Sequence, residues 1–184
     1  RPARRPPNTE RDPPMAPAAA PAALPGDLEI RLARTFDAPP ALVYRAHTEP
    51  ALLRRWMVGP PGWTMSACEV DLRVGGTFRC GWRNEADGTE FDVTGEYTVV
   101  DPPARLVHVE RYGDGGGESL CTLTFDEDGQ GRTTFAQTMR FPTREDRDAQ
   151  IQGGGADGMD PGYDSLARLL DELQAPGRPP TPHA

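Results

Sequence analysis

Asp160-Pro161-Gly162-Tyr163-Asp164-Ser165-Leu166-Ala167-Arg168-Leu169-Leu170-Asp171-Glu172-Leu173-Gln174 ends the predicted domain and decides its architecture. Asp160 and Pro161 supply a cap and a first-turn proline, and Tyr163, Leu166, Leu169, Leu170 and Leu173 recur at helical spacing. Upstream lies a series of strand signals: Ser66–Leu72, Thr77–Arg83, Glu90–Val100, Arg105–Tyr112, Ser119–Phe125 and Thr133–Phe141. Each is closed by turn residues such as Val74-Gly75-Gly76 or Asp101-Pro102-Pro103. Six neighbouring strands with short loops predict an antiparallel meander. One long amphipathic helix must then cover one face of it.

Before the meander, Leu28, Ile30 and Leu32 alternate and Phe36 resumes the phase, which predicts a half-buried strand. Asp37-Ala38-Pro39-Pro40 opens a short helix with Leu42, Val43 and Ala46 as its buried stripe. Glu49-Pro50 breaks it, and a second short helix carries Leu52, Leu53 and Trp56. After the meander, Thr143-x-x-Asp146 marks a helix start that Gly153-Gly154-Gly155 interrupts. Strand, two helices, six strands and a helix make an α+β domain.

Composition bounds the partners. The chain has 184 residues and a formal charge of −8. Residues 1–27 hold eight prolines and seven alanines, and residues 175–184 hold four more prolines. Both are expected to be disordered tails around one domain, 28–174. Met15 offers a translation start, which would make residues 1–14 an upstream extension. The domain carries 15 arginines against 25 acidic residues, a net −10, so phosphate backbones and anionic membranes are repelled. Lysine is absent, which excludes Schiff-base and P-loop lysine chemistry. Cys68, Cys80 and Cys121 lie far apart without a CxxC pair. Neither a disulfide framework nor a zinc cage follows, and no metal or cofactor is expected. A reducing, cytoplasmic compartment fits. No run of 18 apolar residues is present, and Pro13, Pro14, Pro17, Pro21 and Pro25 interrupt what would be a signal-peptide core.

Five motifs stand in register along the chain: Phe36-Asp37-Ala38-Pro39, the Trp56…Gly62 segment, Cys68-Glu69-Val70-Asp71-Leu72-Arg73-Val74-Gly75-Gly76, Asp101-Pro102-Pro103-Ala104-Arg105-Leu106-Val107 and Met139-Arg140-Phe141-Pro142. In this order the chain resembles the activator of heat shock protein 90 ATPase family, within the START-like (SRPBCC, helix-grip) superfamily. The resemblance covers about residues 28–174. It implies a curved seven-stranded antiparallel sheet wrapped around a long C-terminal helix, with a cavity between them. It also implies binding of a hydrophobic small molecule, some members being cyclases or chaperone regulators. No invariant catalytic set comes with it.

Strand alternation then names the expected lining. Phe78, Cys80 and Trp82 share one phase with Phe91, Val93, Tyr97, Cys121, Leu123, Phe125, Phe135 and Met139, and the helix adds Met159, Tyr163, Leu166 and Leu170. The plain alternative is that these residues fill the space as an ordinary core. His108 and Glu110 stand on one face of their strand, about 6.6 Å apart along it. Gln137 holds an analogous place between Phe135 and Met139. On the concave face, imidazole, carboxylate and amide would orient a ligand or move a proton. In the opposite register Val107 and Val109 point inward and the pair is solvated. The expected ligand site comprises Trp56, Phe78, Trp82, Phe91, Tyr97, His108, Glu110, Phe125, Phe135, Gln137, Met139, Met159, Tyr163 and Leu166.

Three lookalikes are declined. His108-x-Glu110 lacks the Pro-Cys-x-x-Cys that zinc deaminases require. Asp126-x-Asp128-Gly129 lacks the remaining acidic positions of a calcium loop. Gly113–Gly117 joins two antiparallel strands, so it does not build a phosphate cradle. The expected function is binding of a small apolar or amphipathic molecule. The alternatives are a cyclase or hydrolase with His108 and Glu110 as acid/base pair, and, last, a chaperone-interaction module.

Overall fold

Alternation of large apolar and polar residues along each strand shapes a sheet with one buried face, and the long helix lies on that face. The computed structural model describes residues 23–59, 61–113, 117–152 and 159–175. The elements run β1 (Ala23–Gly26), β2 (Glu29–Phe36), α1 (Pro40–Thr48), α2 (Pro50–Trp56), β3 (Trp63–Val70), β4 (Thr77–Asn84), β5 (Glu90–Asp101), β6 (Arg105–Tyr112), β7 (Glu118–Glu127), β8 (Thr133–Arg140), α3 (Arg144–Gln152) and α4 (Met159–Gln174). The spatial order is β1-β2-β8-β7-β6-β5-β4-β3, antiparallel throughout.

The seven expected strands and the α+β helix-grip architecture are therefore present. Three differences stand beside them. The four-residue β1 pairs with β2 inside the segment 1–27 expected to be a tail. The third strand begins at Trp63 rather than Ser66, because Trp63, Thr64 and Met65 already pair with Asn84, Arg83 and Trp82. The last helix starts at Met159, one residue before the expected cap. The rest of the expected tails and Gly153-Gly154-Gly155 lie outside the described residues.

The sheet curves around α4. Register shifts at Met65/Ala67 and Tyr97/Val99 bend β3 and β5. Gly95 lets β5 bend as well: a Cβ there would stand 2.2 Å from the Val109 carbonyl oxygen and 2.4 Å from the Phe78 ring, which covers the glycine.

Helix α4 buries Tyr163, Leu166, Leu169 and Leu170 of the expected stripe, each contributing about 2 kcal/mol of apolar burial, whereas Leu173 in the last turn is 40% exposed. Arg34 on β2 pairs with Asp164, Arg55 on α2 with Glu172 at 2.7 Å, and Gln174 Nε2 donates to the Asp37 carbonyl at 2.8 Å. Trp56 closes the space between the helices, its indole N–H donating to Ala46 O at 2.9 Å. At the start of α3, Thr143 Oγ1 accepts from the Asp146 amide at 3.1 Å while donating to the Asp146 carboxylate at 2.6 Å, confirming the predicted start signal.

Candidate functional site: a polar chain on the concave face

Strands β6, β7 and β8 place polar side chains on the buried face. His108 and Glu110, two apart on β6, are 8% and 7% exposed, so the buried register is the one adopted. Val107 is buried on the other face, and Val109 is half-buried there. The ladder sets His108 opposite Tyr97 on β5 and Cys121 on β7, Glu110 opposite Ser119, and Leu123 opposite Gln137. His108 Nε2 lies 3.4 Å from Glu110 Oε2. The other carboxylate oxygen, Oε1, accepts from Tyr112 OH at 2.6 Å and from Ser119 Oγ at 3.3 Å. Ser119 Oγ is 3.4 Å from Cys121 Sγ. Gln137 Oε1 accepts from Tyr163 OH at 2.8 Å. A polar chain on β6 and β7 thus lies beside a second bonded pair, Gln137 on β8 and Tyr163 on α4.

Electrostatics follow from that packing. Burial alone would raise the Glu110 carboxyl, but the hydrogen bond and charge of His108 and the Tyr112 hydroxyl together hold it below its ordinary value. It is an anion that donors surround. Tyr112 is pushed up by burial and then by the Glu110 charge it faces. Burial, then Glu110, also pushes the Cys121 thiol well above its ordinary value. His108 Nδ1 is buried with no hydrogen-bond partner among the described residues.

Next to this chain lies an aromatic layer. His47 of α1 stacks on Phe135 at 4.8 Å, with Phe125 edge-on at 5.2 Å and Trp56 at 5.1 Å, while Trp56 stacks on Tyr163 at 5.7 Å. Burial drops the His47 pKa to about 4, its Nδ1 donating to Val43 O at 2.8 Å. His47 is therefore a neutral ring in the core, outside the expected ligand site. The half-buried Phe78 meets His108 edge-on at 5.1 Å and Tyr97 at 5.3 Å.

The expected lining residues are brought together with two exceptions. Trp56, Trp82, Tyr97, Phe125, Phe135, Gln137, Met139, Tyr163 and Leu166 are all buried with His108 and Glu110. Phe91 is instead 40% exposed. It is the second residue of β5, stacked on Trp82 at 4.9 Å and edge-on to Trp63 at 5.3 Å. Met159 opens α4, and its side chain lies outside what is described. Two members of the polar chain, Tyr112 and Ser119, were missed. Continuing the His108 phase two residues past Glu110 reaches Tyr112, whereas Ser119 needs the β6–β7 register. A depression of about 350 Å³ lies elsewhere, on the outer face, among Glu69, Arg79, Thr94, Glu96 and Arg111. Phe78 and Gly95 also line it, and Phe78 meets His108 edge-on.

The fold has counterparts among known proteins. Residues 37–171 match the family model described as activator of Hsp90 ATPase homolog 1-like protein. The chain belongs to that family. A solved Rhodobacter sphaeroides protein is 32% identical, with a TM-score of 0.75 over 85% of this chain and 99% of its own. A Nitrosomonas europaea protein is 26% identical, with a TM-score of 0.71 over 82% and 99%. A Chromobacterium violaceum protein is 25% identical, with a TM-score of 0.66 over 79% and 99%. No curated protein matches the chain. For this activator of Hsp90 ATPase homolog 1-like chain, the fold is consistent with small-molecule binding, and among the described residues no helix is long and apolar enough to cross a membrane.

Proposed function

We propose that the chain binds a small hydrophobic or amphipathic molecule between the sheet and α4, with His108, Glu110 and Gln137 orienting its polar end. The observation that carries this reading is the buried polar chain within an apolar concavity, in which His108 Nδ1 has no hydrogen-bond partner among the described residues. Buried polar atoms are normally satisfied, so such an atom calls for a ligand or water. The apolar end of the ligand would lie among the aromatic side chains closed less tightly than the core: Phe78 and Tyr112 are half-buried, and Phe91 is exposed. The acidic domain surface disfavours nucleic acid and anionic membranes as partners. Three buried free thiols support a reducing, cytoplasmic setting.

Native mass spectrometry of the chain purified from its own cells tests this reading, together with a thermal-shift panel of apolar and amphipathic compounds. Extra mass that is lost on unfolding, and a Tm rise that His108→Ala diminishes, are expected. Bare chain mass together with an unresponsive panel would overturn it. A second reading, proton transfer by His108 with Glu110 as its partner, is favoured by the 3.4 Å pair. In that case His108→Gln abolishes turnover in a folded chain, and unchanged turnover removes the reading. Action on a chaperone ATPase rests on the family description alone and ranks last. A chaperone pull-down that recovers nothing closes it.

A further inference from the structure

Three side chains with metal-ligand chemistry meet where β6 and β7 pair. His108 and Glu110 share a face by strand alternation, and Cys121 stands directly across the ladder from His108. Their ligand atoms lie within 4.8 Å of one another, and all three residues are buried. We propose that His108, Glu110 and Cys121 form a binding site for a divalent transition metal of zinc's class, its fourth coordination position left to solvent or a ligand. This goes beyond the small-molecule reading and stands without it.

The geometry argues for an ion. The Nε2–Oε2 separation of 3.4 Å is long for a hydrogen bond to a carboxylate, which closes to about 2.8 Å. It also matches the edge of a tetrahedron, since two atoms each about 2.0–2.1 Å from one zinc would stand about 3.4 Å apart. Zinc–sulfur bonds of about 2.3 Å place the thiolate about 3.6 Å from either, an inward side-chain movement of about 1 Å. Surrounding groups already orient the carboxylate: Tyr112 and Ser119 both occupy Oε1 and leave Oε2 toward His108.

Charge and ligand type agree with this. Imidazole, carboxylate and thiolate together suit zinc-class ions better than magnesium or calcium. On binding, the Cys121 thiol proton and any proton on His108 Nε2 leave to solvent. A dication held by one carboxylate, one thiolate and a neutral ring is then electrically neutral, which is what a buried position requires.

The test uses the full chain, stripped with a chelator and titrated with cobalt(II). One cobalt per chain, with a thiolate-to-metal charge-transfer band in the near ultraviolet that zinc displaces, is expected. The band disappears in Cys121→Ser and persists in Cys68→Ser/Cys80→Ser, which separates this site from the other two thiols. Ser119→Ala weakens zinc binding by about 10- to 100-fold. If Cys121→Ser does not fold, His108→Gln takes its place, with the zinc-induced Tm rise of the unaltered chain as second readout. An unaltered chain that takes up no cobalt overturns the site. So does a band that survives loss of Cys121 or His108, or one lost with Cys68 and Cys80.

Discussion

The Tyr163 hydroxyl donates to Gln137 Oε1 at 2.8 Å, so the C-terminal helix is tied to the sheet through the middle of its buried face as well as by leucine packing. Tyr163→Phe removes this bond while keeping the ring against Trp56 and Phe135. A loss of about 1 kcal/mol in urea unfolding is expected, and a double-mutant cycle with Gln137→Met isolates the pairwise part.

Glu110→Gln tests the anion at the centre of the polar chain. Its donors, Tyr112 and Ser119, then face a neutral amide, and a loss of about 2 kcal/mol at neutral pH follows. The folded carboxyl titrates below its ordinary value of 4.5, so its contribution is complete above that pH and fades as pH falls through the lower folded value. Chemical denaturation at a series of pH values should show the two chains converging in acid.

His47 predicts a second, higher acid window. Its ring is neutral in the folded chain down to about pH 4, whereas an unfolded histidine takes up its proton near 6.5. Stability therefore falls from pH 6.5 to about 4, by up to roughly 3 kcal/mol. His47→Phe should flatten that segment of the profile, and an unchanged slope would contradict the assignment.

Much of this was legible from period-two alternation. It places His108 and Glu110 on one face and aligns Phe135, Gln137 and Met139 beside them. The family resemblance says which face is concave, and the leucine spacing finds α4. Relations across the ladder were not legible. Cys121 meets His108 only because the β6–β7 register pairs them, and that register depends on a glycine-rich hairpin whose length does not fix it. A search for metal sites by sequence spacing therefore passed over a cluster drawn from two strands. Phe91 has the right phase but too little cover, because alternation reports direction and not depth. Strand β3 was set too short because Trp63 and Met65 sit beside the loop prolines, and the bulge after Met65 breaks the alternation.

Gly95→Ala should cost about 3 kcal/mol or more, since the added methyl meets the Val109 carbonyl and the Phe78 ring together. Near-ultraviolet circular dichroism should change with it, because Phe78 packs on Tyr97 and His108.

The thiols give a fifth prediction. Burial is the largest influence on each, raising Cys68, lifting Cys80 to about 12 and Cys121 well above its ordinary value. Thiolate is scarce at neutral pH, so alkylating reagents should label none of them in the native chain and all three after unfolding.

The polar chain and Gln137 lie on β6, β7 and β8, interior strands hydrogen-bonded to a neighbour along both edges. Their amides should exchange with deuterium only when the entire molecule opens. A ligand bound on these strands would thus be held by the slowest-breathing part of the protein, and an alteration that retuned its specificity would also reset the lifetime of the native state.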